Sequence, residues 1–231
     1  MPRFLTSDQG PARAGVKGLA AGLVLAGLAA SAVHAQPTRK ETNVQRQREA
    51  VEAWSACMVE DFEDDVHTLM LLDFRSDEYR RLIDDLADRR VSSECYRAMP
   101  RRYRQIELGG LPFAGGLAEQ AMENESDEPL LQRLAMAAIG KPAETFSYTD
   151  QVANCTVRGG PHLVAALFDS PVETDAEAAA LGQLQPVIDV CSQGGSTIDA
   201  SPLAIRSMLA TASYRILAAQ DNSTDESEDD A

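Results

Sequence analysis

All four cysteines of the chain fall into two copies of one sparse spacing pattern. Cys57-x9-His67-x5-Asp73-x21-Cys95 is followed by Cys155-x6-His162-x6-Asp169-x21-Cys191. Four cysteines allow three pairings. Pairing within each copy, Cys57–Cys95 and Cys155–Cys191, closes loops of nearly equal size, with separations of 38 and 36 residues. Crossed pairing and four free thiols are the alternatives, and neither accounts for that equality. A loop of this length constrains the unfolded chain by roughly 3–5 kcal/mol in the entropy description of a cross-link. The pattern therefore predicts two similar modules, each pinned by its own disulfide and possessing a common origin.

Disulfides require an oxidising compartment, and the N-terminus supplies a route to one. Arg3, Arg13 and Lys17 precede an uncharged, mainly apolar run, Gly18 to Ala32, which ends at Val33-His34-Ala35. This is the layout of a signal peptide, with cleavage expected after Ala35. The run is about 15 residues, shorter than the ~20 that span a bilayer. A retained anchor is the competing reading, since the basic segment is long and contains Asp8. No second long apolar segment follows, so no integral membrane segment is expected after cleavage. The protein is expected to be secreted, to the periplasm of a Gram-negative bacterium or otherwise to the extracellular space.

Hydrophobic periodicity predicts an all-α fold. Residues 36–43 read as a flexible mature N-terminus, 44–125 as the first helical module, 126–219 as the second, and 220–231 as an acidic disordered tail. Val44, Val51, Trp54 and Met58 mark a helix over about 44–60; Tyr79, Leu82, Ile83 and Leu86 mark another, begun by Ser76 as its cap. Gly115-Gly116 is expected to weaken a helix over 111–122. Pro129 and Gly140 bracket the next. Thr174-x-x-Glu177 is a capping-box pattern, and Pro186 is expected to kink or split the helix it opens. Ser201-Pro202 begins a last helix with a stripe of Ile205, Leu209, Ala212 and Ile216.

Removing the leader takes away three basic residues and one acid, leaving 18 Lys and Arg against 35 Asp and Glu, a formal charge of −17. Such a surface repels phosphate backbones, so no nucleic-acid partner is expected. A basic protein or peptide fits the charge. The arginines of Arg101-Arg102-Tyr103-Arg104 are expected in a charge network rather than at a ligand.

His67 and His162 are the only histidines after cleavage and hold corresponding places in the pattern. With Asp73 and Asp169 they are the candidate acid–base residues of a hydrolase, but no serine or cysteine beside them stands in a nucleophile setting. Buried, hydrogen-bonded imidazoles explain them as well. The acids at 60–65 lack the order of an EF-hand loop, and no short-range Cys or His pair preforms a metal site. No cofactor fingerprint is present. Asn154-Cys155-Thr156 matches a glycosylation sequon, though Cys155 is expected to be buried. The composition and motifs favour a non-enzymatic structural, adaptor or peptide-binding protein over an exported His/Asp hydrolase or a weak cation-binding module.

Overall fold

The computed structural model describes residues 41–193 and 196–228. The segment expected to be a signal peptide, and the first residues expected to follow its cleavage, lie outside the described residues. Among those described there are ten α-helices: α1 Val44–Asp61, α2 Glu63–Leu71, α3 Asp77–Asp88, α4 Ser93–Ala98, α5 Gly110–Asn124, α6 Leu130–Ile139, α7 Tyr148–Gly159, α8 Pro161–Phe168, α9 Asp175–Cys191 and α10 Pro202–Glu228. A 3-10 turn, Arg101–Gln105, separates α4 from α5.

Polar side chains start five of these helices by accepting hydrogen bonds from otherwise unpartnered N–H groups. Asn43 accepts from Arg46 N, Ser76 from Tyr79 N, Ser92 from Cys95 N, Ser147 from Asp150 N and Thr174 from Glu177 N. The sequence-derived cap at Ser76 and the opening half of the Thr174–Glu177 box are thus both present. Glu177 does not complete the box on Thr174, because its carboxylate instead accepts from the neighbouring Glu173 N–H.

Both disulfides pair as the spacing indicated, Cys57–Cys95 with Cα atoms 5.8 Å apart and Cys155–Cys191 with 5.7 Å. Cys57 is buried, whereas Cys155 is exposed, contrary to the expectation for the sequon. Its place on the outer face of α7 follows from the helix period: Val152, Ala153, Thr156 and Val157 take the inner face.

The two disulfide loops are built alike. Phe62, five residues after Cys57, joins α1 to α2 at φ −141°, ψ 42°; Gly160, five residues after Cys155, joins α7 to α8 at φ −145°, ψ 52°. Ser76 and Thr174, each 19 residues after its cysteine, cap α3 and α9. The histidines do not keep this register. His67 is the fifth residue of α2 and His162 the second of α8, so they sit nearly one turn apart and do not correspond.

A single core runs through both loops. Its most extensive helix–helix contact joins α5 to α10; α5 also packs on α1, as α10 does on α7. Phe113 and Leu117 of α5, Met58 of α1, Leu167 of α8, Leu184 of α9, and Leu209 and Ile216 of α10 are fully buried. At the α5–α10 crossing, a Cβ on Gly115 would stand 2.5 Å from Ser207 Cβ and 2.6 Å from Ser207 Cα. The glycine that was expected to weaken α5 instead lets α10 approach, and α5 is continuous. Gly115→Ala is therefore expected to lower stability by about 1–2 kcal/mol, as overpacking of 1–3 kcal/mol exceeds the gain of about 1 kcal/mol from alanine in a helix. Urea unfolding measures this, and Ser207→Gly in the same chain should recover part of the loss; a raised midpoint in the single variant would refute the crowding.

Pro186, expected to kink or split its helix, lies inside α9 without splitting it. The helical backbone of α10 runs through Glu228, into the segment expected as an acidic tail.

Candidate functional site

Val44, Arg48, Val51 and Glu52 recur at helical intervals and so face one side of α1. That side forms a wall of a cleft of about 600 Å³. Pro112, Gly116 and Glu119 of α5 line it opposite, Leu203, Arg206 and Ser207 of α10 close one end, and Ile106 lines it from the segment after the 3-10 turn. Val44, Val51, Ile106, Pro112, Val172 and Leu203 supply aliphatic lining, interspersed with charged side chains that include Arg48, Glu52, Glu119 and Arg206.

Those charges form a chain of ion pairs across four helices. Arg48 donates from Nη1 to Glu173 Oε1 and to Glu177 Oε2, both at 2.8 Å, and its Nη2 pairs with Glu177 Oε1. Arg206 reaches Glu177 Oε1 at 3.1 Å and grips both oxygens of Glu119 at 2.8–3.0 Å. It also donates to the carbonyls of Leu167, Phe168 and Ser170 at the end of α8. Arg48, Glu177 and Arg206 are each at most 4 % exposed, so the pairs are far less screened than surface ones. One donor of this network, Arg48 Nε, has no hydrogen-bond partner among the described residues.

Burial alone would raise the Glu177 carboxyl. Hydrogen bonds from Arg48 and the Glu173 N–H, with the charges of Arg48 and Arg206, outweigh it and hold the group below the usual glutamate range. Glu52 behaves in the opposite way: burial, then the charge of Glu119, push its carboxyl up despite Arg206 and Arg48. Arg48 precedes Glu52 by one turn on the same face, but its guanidinium is committed to Glu173 and Glu177. Glu52 consequently faces the cleft without a hydrogen bond to any described residue.

The histidine–aspartate candidates are not brought together. His67 Nδ1 pairs with the Tyr214 hydroxyl at 2.7 Å, and Asp73 accepts from Arg75. His162 and Asp169 are exposed on α8 and at its end, with no mutual hydrogen bond. Of the basic patch, Arg104 lines the cleft, donates to the carbonyls of Arg97 and Met99, and lies over the Tyr96 ring at 4.4 Å. Among the described residues no group of three or more His, Cys, Asp or Glu side chains is placed to hold a metal ion. No described helix is long and apolar enough to cross a membrane.

No protein-family model matches the chain, and no curated protein or solved structure matches it.

Sequence reasoning missed Arg48, Glu52, Glu119 and Arg206 and read Glu177 only as a cap. A signal was present for the arginines. Arg48 shares a helix face with Val44 and Val51, and Arg206 lies between Ile205 and Leu209, so each interrupts an apolar stripe where a buried partner is required. Their acids, more than a hundred residues away in the case of Arg48, carry no comparable mark.

Proposed function

We propose that the protein is an exported, non-enzymatic peptide-binding protein, built from two duplicated helical modules, whose cleft between α1, α5 and α10 seats an extended peptide. The observation that carries the reading is the cleft itself: aliphatic side chains around a half-buried carboxylate, Glu52, that has no hydrogen bond to a described residue. A free cleft-facing acid with a raised pKa is a functional-site candidate. Binding rather than hydrolysis is favoured because Glu119, the carboxylate whose charge acts most on Glu52, has both oxygens taken by Arg206 and is ill suited as the second member of two-carboxylate chemistry.

The matching junctions at Phe62 and Gly160, the matching caps at Ser76 and Thr174, and the matching packing of α5 on α1 and α10 on α7 support duplication. Such an origin accounts for α5 and α10 meeting at the centre as equivalents. Residues 44–125 and 126–219 are then the two copies. The leader and the two disulfides support export to the periplasm or beyond the cell.

Leu203→Trp places a larger side chain at the end of the cleft, on the half-buried first turn of α10. The expected result, read by calorimetry with a random hexapeptide pool and its best binders, is micromolar binding by the parent protein and at least tenfold weaker binding by the variant. Equal binding by both would place any peptide site elsewhere and end this reading.

A further inference from the structure

We infer that the cleft is specific for a peptide carrying a basic side chain between aliphatic ones, with the lysine ammonium or arginine guanidinium seated on Glu52. This rests on the peptide-binding reading above and assigns its specificity to one residue.

The comparison between the two halves points to Glu52. It stands five residues before Cys57, as Asp150 stands five before Cys155. In the second half that acid is fully provided for: Arg215 donates to both Asp150 oxygens at 3.1 Å, and the Phe146 N–H donates to Oδ2 at 2.9 Å. Glu52 has neither kind of donor among the described residues. A half-buried carboxylate without a hydrogen bond is costly to keep, and the fold has arginines within reach that it spends on other acids. A ligand cation supplies the missing donor.

The surroundings favour a cation with apolar flanks. Val44, Val51, Ile106, Pro112 and Leu203 offer aliphatic contact on either side of the acid. The charged groups acting on Glu52 are Arg48 on its own helix, Glu119 on α5, Glu177 on α9 and Arg206 on α10, with Glu41 before α1 and Arg104 and Glu107 before α5 also lining the cleft. Arg48 and Arg206 are hydrogen-bonded to Glu173, Glu177 and Glu119, so an incoming cation meets at Glu52 a carboxylate with no hydrogen-bond donor among the described residues. The formal charge of −17 expected for the mature chain adds long-range attraction of the same sign.

The test uses two acetylated, amidated hexapeptides that differ only at the centre of a Leu-Arg-Leu core, one with arginine and one with neutral, isosteric citrulline. The full exported chain with both disulfides formed is titrated by calorimetry as parent, Glu52→Gln and Leu203→Trp. The parent is expected to bind the arginine peptide at least tenfold more tightly, as a charge-assisted hydrogen bond requires. Glu52→Gln should remove that difference and retain a melting temperature at or above the parent's at pH 7. The arginine preference of the parent should fade on acidification, as Glu52 takes up its proton. Equal binding of the two peptides by the parent, or an arginine preference that survives in Glu52→Gln, overturns the assignment to Glu52 and leaves the cleft reading standing. Binding of neither peptide, or undiminished binding by Leu203→Trp, overturns both.

Discussion

Arg206→Ala is expected to destabilise the fold by about 3–5 kcal/mol, the loss typical when one member of a buried ion-pair network is removed and its partners stay behind. Glu119 and Glu177 would lose their shared guanidinium, and the carbonyls of Leu167, Phe168 and Ser170 would lose a donor. The size of the effect comes from what remains unpaired, so its pH dependence has a definite sign. In the variant Glu177 keeps Arg48 and the Glu173 N–H, whereas buried Glu119 loses its guanidinium and its folded pKa lies above the unfolded one. That carboxyl penalises the fold fully above its raised range, and the penalty is relieved as pH falls through it. Urea unfolding at neutral and acid pH should therefore show a deficit that narrows on acidification. Adding Glu119→Gln to Arg206→Ala should recover part of the loss at neutral pH. A constant deficit at every pH would mean that lost packing of the arginine stem, not stranded charge, dominates.

The same network explains which parts of the structure could be read from the sequence. Helices announced by caps and apolar stripes, such as α1 and α3, fall within a residue or two of their expected places, because those signals are local. The disulfide pairing was legible because equal loop lengths constrain it. The last helix was only half legible: Leu209, Ala212 and Ile216 form the expected buried stripe, but Arg206 and Arg215 are buried too. They lie nine residues apart, two and a half turns, and so reach opposite sides of α10. Arg206 meets the end of α8, and Arg215 meets Met70 O at the end of α2 at 2.7 Å. A helix enclosed on all sides has no polar face to give it away. The cleft was illegible for a related reason, since α1, α5 and α10 bring together residues from positions 44 to 207 whose only common property is their place in the packing. The histidines misled because they lie ten and seven residues after their cysteines, whereas the backbone keeps the cysteine register, with Phe62 and Gly160 each five residues on.

Replacing Cys57 and Cys95 together with alanine is expected to cost more than replacing Cys155 and Cys191, although the loops are nearly the same length. For 38 and 36 residues the entropy description gives about 4 kcal/mol in each case. Cys57 is only 3 % exposed in the core, so its truncation adds a packing loss of about 1 kcal/mol. Cys155 is exposed, and its loss adds none. Exposure also orders the two bonds kinetically, since a thiolate must reach a sulfur to attack it. Mild dithiothreitol followed by alkylation and peptide mapping should label Cys155 and Cys191 first. Both double variants should still unfold in one transition, because α5 from one half and α10 from the other make the most extensive helix–helix contact among the described residues, and neither can keep its buried face without its partner. Two separate transitions would show that each disulfide loop holds a core of its own; equal labelling rates would show that local opening, not static exposure, governs access to the sulfurs.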